Sequence, residues 1–265
     1  SQWGFNAIKA DIAFSAGLID STADRLVIIA VADTGITAHE DLQGMTVNGY
    51  NVFNPGELPV DDGISIGHGT HISGIIAANT NNSTGMAGVV FVNATWTAKA
   101  RIMPVKVLNE EGKGYDSDVL SGIVWAVDNG AKVINCSFGG PEGSITLKTA
   151  VSYAASRGVL VVAAAGNSET QVFYPAAYPE VISVAATEPG DIRADFSNYG
   201  KIDVSAPGTT IIGCSSLLPD EYTAASGTSF AAPFVSGAAA LIFLKYDCGA
   251  AQARNIIEQT CDDIG

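Results

Sequence analysis

The stretch Ser226-Gly227-Thr228-Ser229-Phe230-Ala231-Ala232-Pro233 runs directly into Phe234-Val235-Ser236-Gly237-Ala238-Ala239-Ala240-Leu241-Ile242-Phe243-Leu244. A turn of small residues thus opens a segment that is apolar around its whole circumference, and such a helix has to be buried inside a sizeable protein. Ser229 falls where this central helix begins. Pro233 reads as part of the first helical turn, where its missing N–H deprives no helical partner. A hydroxyl so placed lies beside unpaired N–H groups and the positive end of the helix dipole, surroundings that stabilise an oxyanion forming at an attacked carbonyl. Ser229 is therefore either a plain helix cap or a nucleophile.

Working outward, Leu26-Val27-Ile28-Ile29-Ala30-Val31-Ala32 is a continuous, β-branched apolar run, the pattern of a strand covered on both faces. It ends at Asp33-Thr34-Gly35. Further strands are expected at 101–108, 133–137, 159–164, 181–186 and 202–205, with a hairpin within 209–223. Helical spacing appears after Gly67-His68-Gly69-Thr70-His71, over Asp118–Asn129, and through Leu147, Ala150, Val151, Ala154 and Ala155. Strands alternating with helices predict an α/β fold whose mostly parallel central sheet has helices on both faces. No repeat or linker divides the chain, so residues 1–265 read as one domain.

The composition excludes several function classes. A chain of 265 residues with 47% apolar content can bury a large core, and no uncharged apolar stretch is flanked as a membrane span would be. A soluble protein is expected. A net charge of −14 argues against nucleic acid as a partner, since phosphate binding relies on clustered Lys and Arg. The four cysteines lack thiolate-metal spacing; Cys136 and Cys214 read as buried thiols, and Cys248 and Cys261 are candidates for a disulfide. His68 and His71 share a helix face but lack the Glu of a zinc-binding helix, so His71 reads as a hydrogen-bonded packing residue.

Serine attacks only when a base takes its proton, and a neutral imidazole needs an acceptor on its other nitrogen to fix its tautomer. Asp33, His68 and Ser229 supply the three roles, each at a strand end or helix start. The order Asp, His, Ser differs from that of the α/β-hydrolases and of the chymotrypsin fold, and Gly-Thr-Ser-Phe-Ala lacks the second glycine of a hydrolase elbow.

Five blocks in this order, Asp33-Thr34-Gly35, His68-Gly69-Thr70-His71, Ser137-Phe138-Gly139-Gly140, Ala164-Ala165-Gly166-Asn167 and Gly227-Thr228-Ser229, resemble the subtilisin family of serine endopeptidases. The resemblance implies a three-layer subtilisin-like fold and a broad-specificity endopeptidase acting through an acyl-enzyme. It makes His68 the base, Asp33 its orienting acid, Ser229 the nucleophile and Asn167 the side-chain donor of the oxyanion hole. It places an extended substrate between Lys113-Gly114-Tyr115 and Ser137-Phe138-Gly139, as an added strand. Ala164, Gly166 and Phe173 would line the primary side-chain pocket, with Phe173 either filling its floor or packing under Pro175.

The same resemblance implies structural calcium at Asp41, Asn82, the carbonyls of Thr80, Thr84 and Met86, and Gln2, although Gln2 lies closer to the following Ile8-Lys9-Ala10 than the family's ligand does. Oxygen-only ligands suit that hard cation. It further implies a secreted, extracellular monomer, a zymogen held by its own propeptide, with protein or peptide substrates. Asn82-Ser83-Thr84 and Asn93-Ala94-Thr95 fit glycosylation sequons that only a eukaryotic secretory route would use. The chain opens at Ser1 like a processed product and ends before the last strand and helix usual in the family. Phe230 stands where many relatives carry methionine. The rival readings are a catalytically silent binding scaffold and a peptide ligase using the same acyl-enzyme.

Overall fold

The alternation that packs a strand between two layers is visible in β1 (Val27–Asp33): Val27, Ile29 and Val31 enter one core, while Ala30 and Ala32 enter the other. This is seen in a computed structural model that describes residues 2–10, 12, 25–63, 66–90 and 100–264. β1 pairs in parallel with β3 (Ala100–Lys106) on one side and with β4 (Ala131–Cys136) on the other. The parallel sheet continues through β5 (Leu160–Ala164), β6 (Val181–Glu188) and β8 (Val204–Pro207); β2 (Tyr50–Asn51) extends it beside β3. A short antiparallel strand, β7 (Ile192–Arg193), pairs with the end of β6. The expected hairpin is β9 (Ile211–Cys214) with β10 (Tyr222–Ala225).

Helices His68–Ala77 and Thr228–Lys245 cover one face of the sheet, with Ile72, Ile75, Ile76, Phe230, Phe234 and Phe243 in its core. Helices Asp116–Asp128 and Ile145–Ser156 cover the other, through Val119, Ile123, Leu147 and Val151. The architecture is three-layered α/β. Helix Thr228–Lys245 is long and apolar enough to cross a membrane, but 72% of its apolar window is buried inside the protein, so its hydrophobicity is spent on the core.

Two expectations need correction. Cys248 and Cys261 are free, and Cys261 lies exposed with its thiol against the Glu258 carbonyl, so the candidate disulfide is not formed. Pro233 lies inside helix Thr228–Lys245, past its first turn. Cys136 and Cys214 are buried as expected, and burial pushes the Cys136 thiol up to about 12, where it stays protonated. The sequon Asn93-Ala94-Thr95 falls outside the described residues.

Candidate active site

Asp33, fully buried, is the last residue of β1, and β1 lies where the strand order turns, because the chain continues to β3 on one side before reaching β4 on the other. Functional groups of open α/β sheets gather at the carboxyl ends of strands around such a point. Asp33 Oδ1 accepts the Thr34 N–H and the Nδ1 proton of His68, both at 2.8 Å. The proton on Nδ1 leaves Nε2 as the acceptor of the neutral ring. Asp33 Oδ2 is buried without a hydrogen-bond partner among the described residues, so little competes with His68 for this charge.

His68 opens its helix at the point of closest approach to the β1 turn. Gly69 makes that approach possible: a Cβ there would overlap the Gly35 carbonyl oxygen. A clasp holds the two segments together. Buried Asp61 accepts from the Thr34 hydroxyl at 2.8 Å, from the Thr70 N–H at 2.9 Å and from the Thr70 hydroxyl at 2.7 Å, while Thr34 Oγ1 accepts the Gly69 N–H at 2.9 Å. Lys106, also buried, donates to the Thr34 carbonyl and to Asp62. Burial alone would lower the His68 pKa, but the Asp33 charge and hydrogen bond, with the Asp61 charge, outweigh it and raise the imidazole above 6.5. His71 shows the opposite balance. Burial, with His68 nearby, lowers it to about 4, and its ring nitrogens face the Ile211 carbonyl and the Thr223 hydroxyl at 3.2 and 3.4 Å. It is the packing histidine the sequence suggested, with no nitrogen spare for a metal.

Ser229 follows the first residue of its helix. Its hydroxyl donates to the Ser137 carbonyl at 2.9 Å, and no hydrogen bond joins it to His68 among the described residues. Such contacts often tighten only when substrate is bound. The Phe230 ring lies 5.5 Å from the His68 ring and 4.7 Å from that of His71, which fixes the two helix starts against each other. The place of Pro233 now acquires a meaning. Proline at that position removes the N–H that would have bonded the carbonyl four residues back, that of Ser229. The Ser137 hydroxyl donates to this carbonyl at 2.7 Å, and a buried relay backs it: Asn135 Nδ2 donates to Ser137 Oγ, and Ser236 Oγ to Asn135 Oδ1, both at 2.9 Å.

Asn167 stands beyond the end of β5. Its Oδ1 accepts the N–H and the hydroxyl of Thr228, at 2.8 and 2.9 Å, and with the oxygen so held the NH₂ is the end left to donate elsewhere. A carboxylate, an imidazole, a serine hydroxyl and a carboxamide from four distant segments thus gather at the carboxyl end of the sheet. Residues 24–264 match the model of the subtilase family.

The chain belongs to the subtilase family.

It is 42% identical over 267 residues to Subtilisin BL of Lederbergia lenta, covering 99% of this chain and 92% of that one. It is 44% identical over 273 residues to Subtilisin amylosacchariticus of Bacillus subtilis subsp. amylosacchariticus, covering 99% and 66%. A cold adapted subtilisin-like serine proteinase of known structure superposes with a TM-score of 0.77 at 32% identity, over 90% of this chain and 83% of its own. The protein is a subtilisin-family serine endopeptidase with the subtilisin-like fold.

Around the subtilase site, neither Gly114 nor Gly139 forms a backbone hydrogen bond among the described residues, so both rims carry open main-chain groups. Tyr115 is exposed beside the first. Gly166 has φ +107°, and a Cβ there would overlap both the Phe173 ring and the Asn198 amide. The half-buried Phe173 ring therefore packs on Gly166.

Below the hairpin, Asp41 is fully buried. Its Oδ1 accepts from Asn82 Nδ2 at 2.6 Å, and its Oδ2 from the Met86 N–H and the Tyr222 hydroxyl, both at 2.9 Å. Asn82 Oδ1 accepts the Thr84 N–H, and the Gln2 amide pairs in both directions with Ala87. The Thr80 hydroxyl turns to the Ala78 carbonyl. A Cβ on Gly85 would overlap the Asp41 carboxylate, so the loop is drawn tightly over it. Asn82 and Met86 thus meet Asp41 directly, Thr84 bonds Asn82, and Gln2 bonds Ala87, the residue after Met86.

The reading from sequence passed over Asp61, Lys106, Thr228 and Asn198. Lys106 had a signal, the lone cation within the apolar run Ile102–Leu108. Asp61 and Asn198 had none that separates them from ordinary loop residues.

Proposed function

We propose that this subtilase cleaves peptide bonds through an acyl-enzyme, with Ser229 as nucleophile, His68 as general base and then acid, and Asp33 holding the imidazole and stabilising its charged form. The 2.8 Å bond from His68 Nδ1 to fully buried Asp33 carries this reading, because it points Nε2 outward as an acceptor for the Ser229 proton. The Ser229 hydroxyl turns from the Ser137 carbonyl to Nε2 once a substrate carbonyl lies above it. Attack forms the carbon–oxygen bond and places negative charge on the carbonyl oxygen, which the Asn167 NH₂ and the Ser229 N–H receive. The tetrahedral species then expels the amine as His68 returns the proton, and water repeats the sequence to free the acid.

The substrate lies as an added strand between Lys113-Gly114-Tyr115 and Ser137-Phe138-Gly139, and main-chain pairing gives broad specificity. Phe173 on Gly166 shortens the primary pocket beside Ala164. Asn167→Ala tests the oxyanion assignment: turnover is expected to fall about a hundredfold or more, a magnitude carried over from a subtilisin. Unchanged turnover in the folded variant would remove Asn167 from the mechanism.

The reading of the Asp41 cluster as a calcium site rests on family membership and is supported by a buried carboxylate that no Lys or Arg pairs with among the described residues; Asn82 would turn its oxygen, here on the Thr84 N–H, toward the ion. Asp41, Asn82, Gln2 and the carbonyls of Thr80, Thr84 and Met86 would hold it, and the bound ion would stabilise the fold without entering the chemistry. Thermal stability indifferent to a strong chelator would count against it. Secretion as a single-domain monomer, released from its propeptide, completes the reading and rests on family membership.

A further inference from the structure

The loop that presents Asn167 is organised by a residue outside it. Asn198 is fully buried, and its one carboxamide serves four backbone groups of that loop. Oδ1 accepts the N–H of Ser168 at 2.9 Å and of Thr170 at 3.1 Å, while Nδ2 donates to the carbonyls of Ala165 and Gln171, both at 3.1 Å. The Asn198 N–H adds a bond to the Gly166 carbonyl at 3.0 Å. A carboxamide has two donor hydrogens and two acceptor lone pairs, and here all four are used. The bonds fall on both sides of Asn167, on residues 165 and 166 before it and 168, 170 and 171 after it.

The backbone has closed onto this amide. Gly166 holds a positive φ, and any side chain there would overlap Asn198 Nδ2. Thr228 fixes the Asn167 carboxamide from the front, through its N–H and hydroxyl, and Asn198 fixes the backbone from behind. Asn198 forms no hydrogen bond to Ser229, His68 or Asp33 among the described residues, so its route to the chemistry runs through the loop.

We propose that Asn198 is the positioning residue of the oxyanion hole: it holds loop 165–171 in the one conformation that aims the Asn167 NH₂ at the forming oxyanion. The inference rests on the reading of Asn167 as oxyanion donor. An oxyanion donor acts on charge that exists only in the transition state, so a loosened loop lowers kcat while leaving ground-state binding in place.

The test is a double-mutant cycle of Asn198→Ala, and separately Asn198→Ser, with Asn167→Ala, reading kcat and KM on a peptide substrate per active site counted by burst titration. That count removes any unfolded fraction, and the serine variant, which keeps a small polar group, serves if alanine does not fold. Asn198→Ala is expected to lower kcat by about tenfold to a hundredfold, with KM within about twofold. In the Asn167→Ala background it should cost no more than about twofold further. A full additional loss there, or an unchanged kcat in the parent, would overturn the inference while leaving the Asn167 assignment intact. If Asn167→Ala alone leaves kcat unchanged, the oxyanion reading fails, and the inference falls with it.

Discussion

The Ser137 hydroxyl donates to the Ser229 carbonyl at 2.7 Å, the acceptor that Pro233 leaves without a helical donor. The proposed nucleophile is thereby held from two directions, since its own hydroxyl donates back to the Ser137 carbonyl at 2.9 Å. Ser137→Ala would leave the part-buried Ser229 carbonyl without its donor and the fully buried Asn135 amide without its acceptor. A loss of about 1–3 kcal/mol in unfolding free energy is expected, the cost of orphaned buried groups. Urea unfolding of the inhibited enzyme measures it, and stability equal to the parent would mean the bond matters little.

The pH dependence follows from the raised His68 pKa. The ring must be neutral to accept the serine proton, so kcat/KM should rise with pH through the His68 pKa, on a limb lying above the 6.5 of an ordinary histidine. Asp33 and Asp61 are the charges that raise it. Asp61→Asn removes one of them while its single amide oxygen can still accept from Thr70, so the limb should move to lower pH. A limb that stays fixed or moves upward would contradict the electrostatic role of Asp61.

Peroxide should inactivate the enzyme slowly. The residue after Ser229 is Phe230, which has no sulfur, and the three methionines, Met45, Met86 and Met103, are each no more than 5% exposed. Cys136 and Cys214, both buried, have raised pKa values and so little reactive thiolate. Residual activity against time in mild peroxide is the measurement, made on a Cys248→Ser, Cys261→Ser variant because those two thiols are free and less buried, and rapid loss there would show that one of the buried sulfurs is reached.

Phe173 sets the depth of the primary pocket in this account, because its ring lies on Gly166 where a large side chain would enter. Substrates with alanine or leucine before the scissile bond should be cleaved better than those with phenylalanine, and Phe173→Gly should reverse that order. An unchanged order would return Phe173 to simple packing beneath Pro175.

Much of this was legible in the sequence because the signals were local. The β-branched run ending at Asp33, the glycines around His68 and the small-residue turn before Ser229 each mark a strand end or helix start. What escaped was relational. Nothing local tells Asn198 from a turn asparagine before Tyr199-Gly200; its role exists only because residues 165–171 fold over it. Asp61 likewise becomes significant through Thr34 and Thr70, which its loop reaches only in the folded chain. Pro233 falls a turn deeper than its local pattern implies because no local signal points to Ser137, whose hydroxyl replaces the helical bond that proline removes. The pairing of Cys248 with Cys261 failed for a related reason, since spacing alone says nothing of where two thiols point.

The central claim is that Ser229 is a nucleophile activated by His68. The direct measurement is labelling of the intact enzyme and of a His68→Ala variant with a peptidyl organophosphonate, followed by mass spectrometry of the fragments. One adduct per chain is expected, on Ser229, formed rapidly in the parent and at least about a thousandfold more slowly in the variant. An adduct on another residue, or equal labelling rates in the two proteins, would contradict it.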